Sequence, residues 1–577
     1  MSSLALAIVA ASPSPARADN PIVQTNYTAD PAPMVHEGRL YLYTSHDDDV
    51  TVKDFYTMND WRLYSTTDMV NWTDHGSPAG LKTFSWGTDS AWAPQGVPRN
   101  GKFYLYVPLN NNTGAKIGVG VSNNVAGPFM DPLGKALAQN GSSNIDPTVF
   151  VDDDGQAYMY WGNGTLRYVK LNSDMTSTSG SVTNVTLSGF TEGPWFYKRG
   201  SLYYMVYAAT SGTEKISYAT SNAPTGPWTV RGDVMGSGST FTNHPGVVDY
   251  KGHSYFFYHN SALPGGNNYK RSVCVEEFTY GADGSIPKLT MSTKGPVAVA
   301  ALNPFVQVEA ETIAFSSGLK TEVCSDTGAG INVTSIGNGD YIKVKDVDFA
   351  DGVTSFDARV SSAASNAKIE LHLDSQTGTL LGTCDVSGAS SWTTKTCTVS
   401  GGSGKHDLFL KFVGGSGDLF KFNWWRFTGP TMPSGGGGGG SGGGASGNAG
   451  SGSAGLAGSG HGSSGSPGAA GMSSGSAGAL SAGTGGTTGS AGASSGGSAV
   501  STAGASSGGS PSVVGHAGST SASSGAGGNG SGSADPGSCA SRTGAGASKS
   551  GLAAALGLIA SVLVLRRRRS RTATSEN

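Results

Sequence analysis

One short pattern returns five times in the first half of the chain, and few folds can carry it. Gly-x-x-Tyr stands at Gly38–Tyr41, Gly101–Tyr104, Gly155–Tyr158, Gly200–Tyr203 and Gly252–Tyr255, at intervals of 63, 54, 45 and 52 residues. Each glycine marks a turn, and the residues after it run on with the period of two that belongs to a strand. A further strand pattern follows in every unit: Arg62–Ser65, Ile117–Ser122, Leu166–Leu171, Ile216–Thr220 and Val273–Phe278. Helical periodicity is missing throughout. Five all-β units of roughly 50 residues each predict a five-bladed β-propeller over residues 20–300. A β-sandwich is the alternative, but it does not account for the fivefold phase.

The phase also locates a site. Eight or nine residues before the repeat glycines stand Asp30, Trp92, Asp146, Glu192 and His244, each with a proline one or two residues later. Asp-Pro opens many ordinary turns, so any one of these is a weak signal. Residues at equal phase in a propeller share a radius, and this phase is expected on the innermost strands. Three carboxyls, a histidine and a tryptophan would then converge on one axis, where like charges shift one another's pKa. Glycosidic hydrolysis needs such carboxyls: an acid for the leaving oxygen and a base or nucleophile on the opposite face. The residues alone do not assign the roles.

Residues 306–428 begin a second unit with strand alternation at Tyr341–Val347, Lys368–Leu373 and His406–Val413, as expected for a β-sandwich of jelly-roll type. Residues 433–548 are almost wholly Gly, Ser and Ala, a composition that cannot offset ordering entropy and predicts a disordered linker. Both termini read as export signals. An apolar run and Ala16-Arg17-Ala18 suggest a signal peptide over residues 1–18. Residues 551–565 form a short apolar stretch, expected as a transmembrane or sorting helix, before the arginine cluster of 566–571. A secreted protein held to the cell surface or outer envelope is expected. The net charge of −3 and the lack of a dense basic patch before the tail argue against nucleic acid as a partner. Cys384 and Cys397 lie in consecutive strand-like segments and are a candidate disulfide, while Cys274 and Cys324 read as buried free thiols.

Three segments then become specific. Tyr27-Thr28-Ala29-Asp30-Pro31, Ile145-Asp146-Pro147-Thr148 and Thr191-Glu192-Gly193-Pro194-Trp195 resemble the signature motifs of glycoside hydrolase family 43, and the similarity continues through Thr242–Gly246 and Arg271–Glu277. The resemblance implies an inverting mechanism with Asp30 as general base, Glu192 as general acid and Asp146 tuning the acid. It also implies that Arg271 contacts the sugar and that His244 lies near the axis, linked to a calcium ion. His46, Trp92 and Trp161 are weaker candidates for lining the sugar pocket, and core positions are the alternative for both tryptophans. Val308–Glu311, Gly339–Ile342 and Asn423–Phe427 resemble a family 6 carbohydrate-binding module. That likeness implies a calcium site using Glu309, Glu311 and Asn423. It makes Trp392 one sugar-binding aromatic, with Ser335 and Lys421 replacing the other aromatic and an asparagine. With Cys539 before it, the C-terminal tail resembles the MYXO-CTERM class of sorting signals.

Together these features imply arabinofuranosyl release from arabinoxylan in the plant cell wall, with no organic cofactor. A β-xylosidase or endo-acting xylan hydrolase of the same family is the nearest alternative. A non-catalytic, lectin-like surface protein is the alternative from another class.

Overall fold

The computed structural model describes residues 15–430 apart from 53, 211, 212 and 329. The linker of 433–548, the apolar stretch of 551–565, the arginine cluster and most of the expected leader lie outside the described residues. Among those described, the one helical element is the single 3-10 turn Leu81–Thr83, and no helix is long and apolar enough to cross a membrane.

The repeat glycines are hairpin turns. Gly38, Gly101, Gly155, Gly200 and Gly252 all take positive φ, between 59 and 83°, a region that a Cβ disfavours. They join Tyr27–His36 to Arg39–Asp47, Gln95–Arg99 to Lys102–Leu109, Thr148–Val151 to Ala157–Trp161, Phe190–Arg199 to Leu202–Thr210 and Gly246–Tyr250 to His253–Asn260. Each hairpin heads its own antiparallel sheet of consecutive strands. The repeat tyrosines Tyr104, Tyr158, Tyr203 and Tyr255 are buried behind the turns.

The first strands of these sheets neighbour one another around a propeller-like body. Tyr27–His36 packs against both Gln95–Arg99 and Gly246–Tyr250, and Thr148–Val151 packs against Gln95–Arg99 and Phe190–Arg199. The indole of Trp195 reaches the carbonyl of Val247 at 2.9 Å, bridging the fourth and fifth sheets. At Gly246 a Cβ would stand 2.5 Å from the carbonyl oxygen of Pro31, so the fifth sheet can approach the first only because this residue lacks one. Apolar side chains from four of the five sheets, among them Trp61, Leu105, Val206 and Phe256, fuse into one core. Their burial is the main stabilising term.

Arg17–Asp19 pairs with Lys294–Val297, and Ala18 is fully buried. The expected export boundary at residue 18 therefore falls inside a paired strand; cleavage there would remove two of its three residues.

Residues 308–428 form two packed sheets around a separate apolar core, a β-sandwich. Cys384 and Cys397 are bonded, and they staple one sheet to the other, since Leu380–Asp385 and Thr393–Gly401 belong to different sheets. Cys274 and Cys324 are buried and free. The sandwich is joined to the propeller-like body by backbone: Thr312–Ile313 pairs with Trp72–Asp74 and extends the first sheet. Beside it Asn71 and Lys345 exchange two hydrogen bonds of 2.9 and 2.8 Å.

Candidate active site

All five in-phase residues lie within three positions of the start of a first strand, Asp30 and Glu192 inside it and Trp92, Asp146 and His244 before it. The ladder slips between Ala29 and Ala32, and again on both sides of Glu192, so Asp30 and Glu192 stand on bulges that re-aim their side chains. Asp30 and Asp146 take left-handed φ values of 52 and 58°, uncommon for residues with a Cβ and concentrated at functional sites. Gly193, also left-handed, lies so close to His244 that a Cβ would come within 3.2 Å of its Nδ1.

Around Asp30 the surroundings favour charge. Arg271 donates from Nη1 to Asp30 Oδ1 at 3.1 Å, and the Ser45 hydroxyl donates to Oδ2 at 2.6 Å. Arg271 is itself fixed by the fully buried Asp47, to which Nε and Nη2 donate at 2.9 Å each, and its guanidinium lies 4.6 Å from the centre of the Tyr56 ring. Burial alone would raise the Asp30 carboxyl, but Arg271, then the His244 and His259 imidazoles, and last the Ser45 hydrogen bond bring it down to about 2. His244 and His259 stand 3.8 and 3.7 Å from Asp30 Oδ1. Burial lowers both imidazoles, His259 to about 3, so at neutral pH the permanent positive charge beside Asp30 is that of Arg271.

Around Glu192 the balance is reversed. Asp146 accepts one backbone hydrogen bond, from Gly193 at 2.9 Å. Burial, then the like charges of Glu192 and Asp30, push it well above the usual carboxylate range. Burial and Asp30 also raise Glu192, although the amide of Asn163, bonded to its Oε2, works the other way. The site thus holds one carboxyl biased toward its ionised form and two biased toward protonation, the kind of division that acid–base hydrolysis of an acetal requires.

The other candidates separate clearly. Trp92 is half-buried and lines a cleft with Asn163, Asn110, Ser142 and Ser143 beside Glu192. Trp161 does not line the pocket. It is fully buried among Val149, Met159 and Val169, and its indole N–H binds Asn144 at 3.0 Å. His46 does not face the sugar side either. Alternation along Arg39–Asp47 sends Ser45 and Asp47 to Asp30 and Arg271 and turns His46 away, onto Asp60 at 2.6 Å. With Asp48 these two form the one group of three metal-ligating side chains among the described residues, and His244 is outside it.

In the sandwich, Trp392 is half-buried and donates to Ser325 at 3.0 Å. Ser335 is exposed, and Lys421 is engaged with Glu322 at 2.6 Å. Glu309, Glu311 and Asn423 do meet, lining a cavity of about 470 Å³ with Thr73 and Asp74 of the first sheet. Glu311 Oε2 is buried there without a hydrogen-bond partner, and burial raises its carboxyl well above the ordinary range. An orphaned carboxylate oxygen beside a second glutamate and an amide is the donor chemistry of a hard cation such as calcium.

Residues 18–286 match the model of glycosyl hydrolases family 43, and residues 309–429 match that of carbohydrate binding module family 6. The arabinoxylan arabinofuranohydrolase of Bacillus subtilis (strain 168) is 36% identical over 476 residues, covering 71% of this chain and 92% of that protein. The chain belongs to glycosyl hydrolase family 43. Its catalysts are therefore carboxyls and its reaction inverts the anomeric centre. This family 43 hydrolase is also 34% identical to an arabinoxylan arabinofuranohydrolase of Paenibacillus polymyxa, covering 71% of the chain and 74% of that protein. A crystal structure of a Bacillus subtilis arabinoxylan arabinofuranohydrolase in complex with cellotetraose superposes with a TM-score of 0.64 at 34% identity, over 71% of this chain and 97% of that one, so the likeness extends through the sandwich.

Ser45, Asp47, Asn163, Glu214 and His259 belong to the site without having been singled out from the sequence. Ser45 and Asp47 were open to detection through strand alternation; the other three sit on second and third strands or their connections, outside the repeating phase.

Proposed function

We propose that this hydrolase is a five-bladed propeller enzyme releasing α-L-arabinofuranosyl units from arabinoxylan. The observation that carries the reading is the electrostatic division between Asp30 and Glu192, in a chain that covers 92% of a relative bearing that activity in its name. Asp30, ionised, takes a proton from a water whose oxygen attacks the anomeric carbon. Glu192 gives its proton to the glycosidic oxygen as the bond to the anomeric carbon breaks. Asp146 keeps that proton available through its proximity, and Arg271 fixes the base and reaches toward the sugar. Trp92 and the cleft beside Asn163 lie on the leaving-group side, next to the acid. Calcium, when bound at Glu309, Glu311 and Asn423, would supply the positive charge that neutralises a buried glutamate.

The reading extends to location. A leader, an apolar tail with arginines and a disulfide fit export to an oxidising compartment and retention at the envelope. Fractionation of cells making the full chain tests this, and a wholly cytoplasmic protein refutes it.

The activity test uses the full chain on aryl arabinofuranoside, aryl xyloside and arabinoxylan, with Glu192→Gln and Asp30→Asn beside it. Arabinose released first as the β-anomer, and loss of turnover in both variants, is the expected result. Xylose as the preferred product supports the xylosidase reading. Binding without turnover on any substrate supports the lectin-like one, and undiminished activity in Glu192→Gln removes the role assignment.

A further inference from the structure

A glycine-flanked turn, Trp161-Gly162-Asn163-Gly164, leaves the third sheet beside the general acid. Gly162 and Gly164 take φ values of 145 and 68°, and at Gly162 a Cβ would collide with the carbonyl oxygen of Thr165, so this conformation is open to glycine alone. The turn is pinned on both sides. The N–H of Gly162 donates to the carbonyl of Ile145 at 2.9 Å, and that of Gly164 to the carbonyl of Thr191 at 2.6 Å. Those two acceptors immediately precede Asp146 and Glu192. Asn163, held between them, donates from Nδ2 to Glu192 Oε2. It is exposed, and with Trp92 it lines the cleft beside the acid.

A carboxylic acid carries its proton on one oxygen and accepts hydrogen bonds best at the other. An N–H donor fixed at Oε2 makes that atom the carbonyl oxygen and leaves the acidic O–H on Oε1. We propose that Asn163 is a positioning residue for the family's reaction: by donating to Glu192 Oε2 from the wall of the leaving-group cleft, it fixes Oε1 as the oxygen that delivers the proton. The proton passes from Oε1 to the glycosidic oxygen as the bond to the anomeric carbon breaks, and Glu192 is left as a carboxylate. The hydrogen bond from Asn163 strengthens over that step, because a carboxylate accepts better than an acid. The ionisable groups that face Glu192 are Asp30 on the first sheet, Asp146 on the third, Glu214 on its own and Arg271 on the fifth, with His244 and His259 beyond them against Asp30. Against burial and Asp30, which raise the acid, the Asn163 hydrogen bond draws it toward ionisation. The inference rests on Glu192 being the general acid.

Two variants of the full chain separate this role from a structural one. Asn163→Ala removes the donor, and Asn163→Asp keeps the shape but puts an acceptor in its place. The position is exposed, so both should keep the urea midpoint of the parent. Each is expected to lower kcat/KM on an arabinoxylo-oligosaccharide at least about 10-fold, within the range spanned by acid catalysis. A 2,4-dinitrophenyl arabinofuranoside, whose leaving group departs without protonation, should change less than about 3-fold. Because the lost bond favoured ionised Glu192, the alkaline limb of the oligosaccharide profile should move to higher pH, and further in Asn163→Asp, which adds a like charge. Equal losses on both substrates, no loss on either, or an alkaline limb that stays in place overturn the proposal. Glu192→Gln run in parallel identifies which link fails: if it too lacks leaving-group selectivity, the acid assignment falls and the proposal with it. Selectivity in Glu192→Gln that is absent from both Asn163 variants overturns the proposal alone.

Discussion

Replacing Arg271 with methionine tests the electrostatic frame of the site most directly. The side chain is 3% exposed and serves two buried carboxyls, Asp47 through two bonds of 2.9 Å and Asp30 through one of 3.1 Å. Methionine keeps much of the volume and removes the charge. Asp30 lies at about 2 against an ordinary 3.8, which corresponds to roughly 2.4 kcal/mol of preference for its ionised form. Stripping one partner from a buried pair generally costs about 3–5 kcal/mol, because the remaining charge is left uncompensated. The pH dependence fixes the mechanism. In the parent, the depressed Asp30 contributes stability that is present above about pH 4 and lost as pH falls toward 2. Without Arg271 burial dominates, the folded carboxyl titrates above its unfolded value, and the sign reverses: stability is then fullest below pH ~4 and declines as pH rises. Urea unfolding at pH 2 and pH 7 should therefore show a small deficit at the first and a loss of about 3–5 kcal/mol at the second. The acid limb of kcat/KM should move up by about two units or more, since the base must now ionise without its cation. A deficit equal at both pH values, or an unmoved acid limb, would refute the reasoning.

Further outcomes follow from the remaining geometry. Trp161→Ala should lower stability by about 3–5 kcal/mol through the cavity it leaves, whereas Trp92→Ala should raise KM for arabinoxylan with little change in urea midpoint. Chelation by EDTA should lower the melting temperature of the parent; in Glu311→Gln, which removes the orphaned carboxylate, EDTA should have no effect, and an equal response in both would dismiss the cation site. Cys384→Ser should cost about 3 kcal/mol, as expected for opening a loop of this size, with activity on soluble substrate retained. Trp392→Ala should leave retention on an insoluble xylan column unchanged, because the Lys421–Glu322 pair occupies the position where a second contact would be needed.

What the sequence revealed of this architecture tracks what repeats. The five turn glycines and the five in-phase residues recur because each sheet is built alike, and spacing alone therefore placed Asp30, Asp146 and Glu192 together. Residues that occur once gave no such signal. Asn163 sits in the connection after Ala157–Trp161 and reaches Glu192 only through the way the third and fourth sheets abut, and Glu214 heads the third strand of the sheet that carries Glu192. Trp161 illustrates the opposite error: an aromatic near the motif suggests a sugar platform, but its strand is covered on both sides. His46 adjoins the site in sequence only: alternation assigns its neighbours Ser45 and Asp47 to the site and sends it onto Asp60. The dependence on Asp74 at the Glu309–Glu311 cavity required the docking of two units far apart in the chain.

The strand Thr312–Ile313 changes what counts as the minimal enzyme. By hydrogen-bonding to Trp72–Asp74 it covers an edge that would otherwise present unpaired amides and carbonyls to solvent. A truncation at residue 300, drawn where the sequence changes character, would uncover that edge and the flank of Trp72 with it. Such a fragment should self-associate, while one ending after the sandwich should not. The carbohydrate-binding unit is in this sense a splint for the catalytic one, and exchanging it for another module would require the graft to bring its own matching strand.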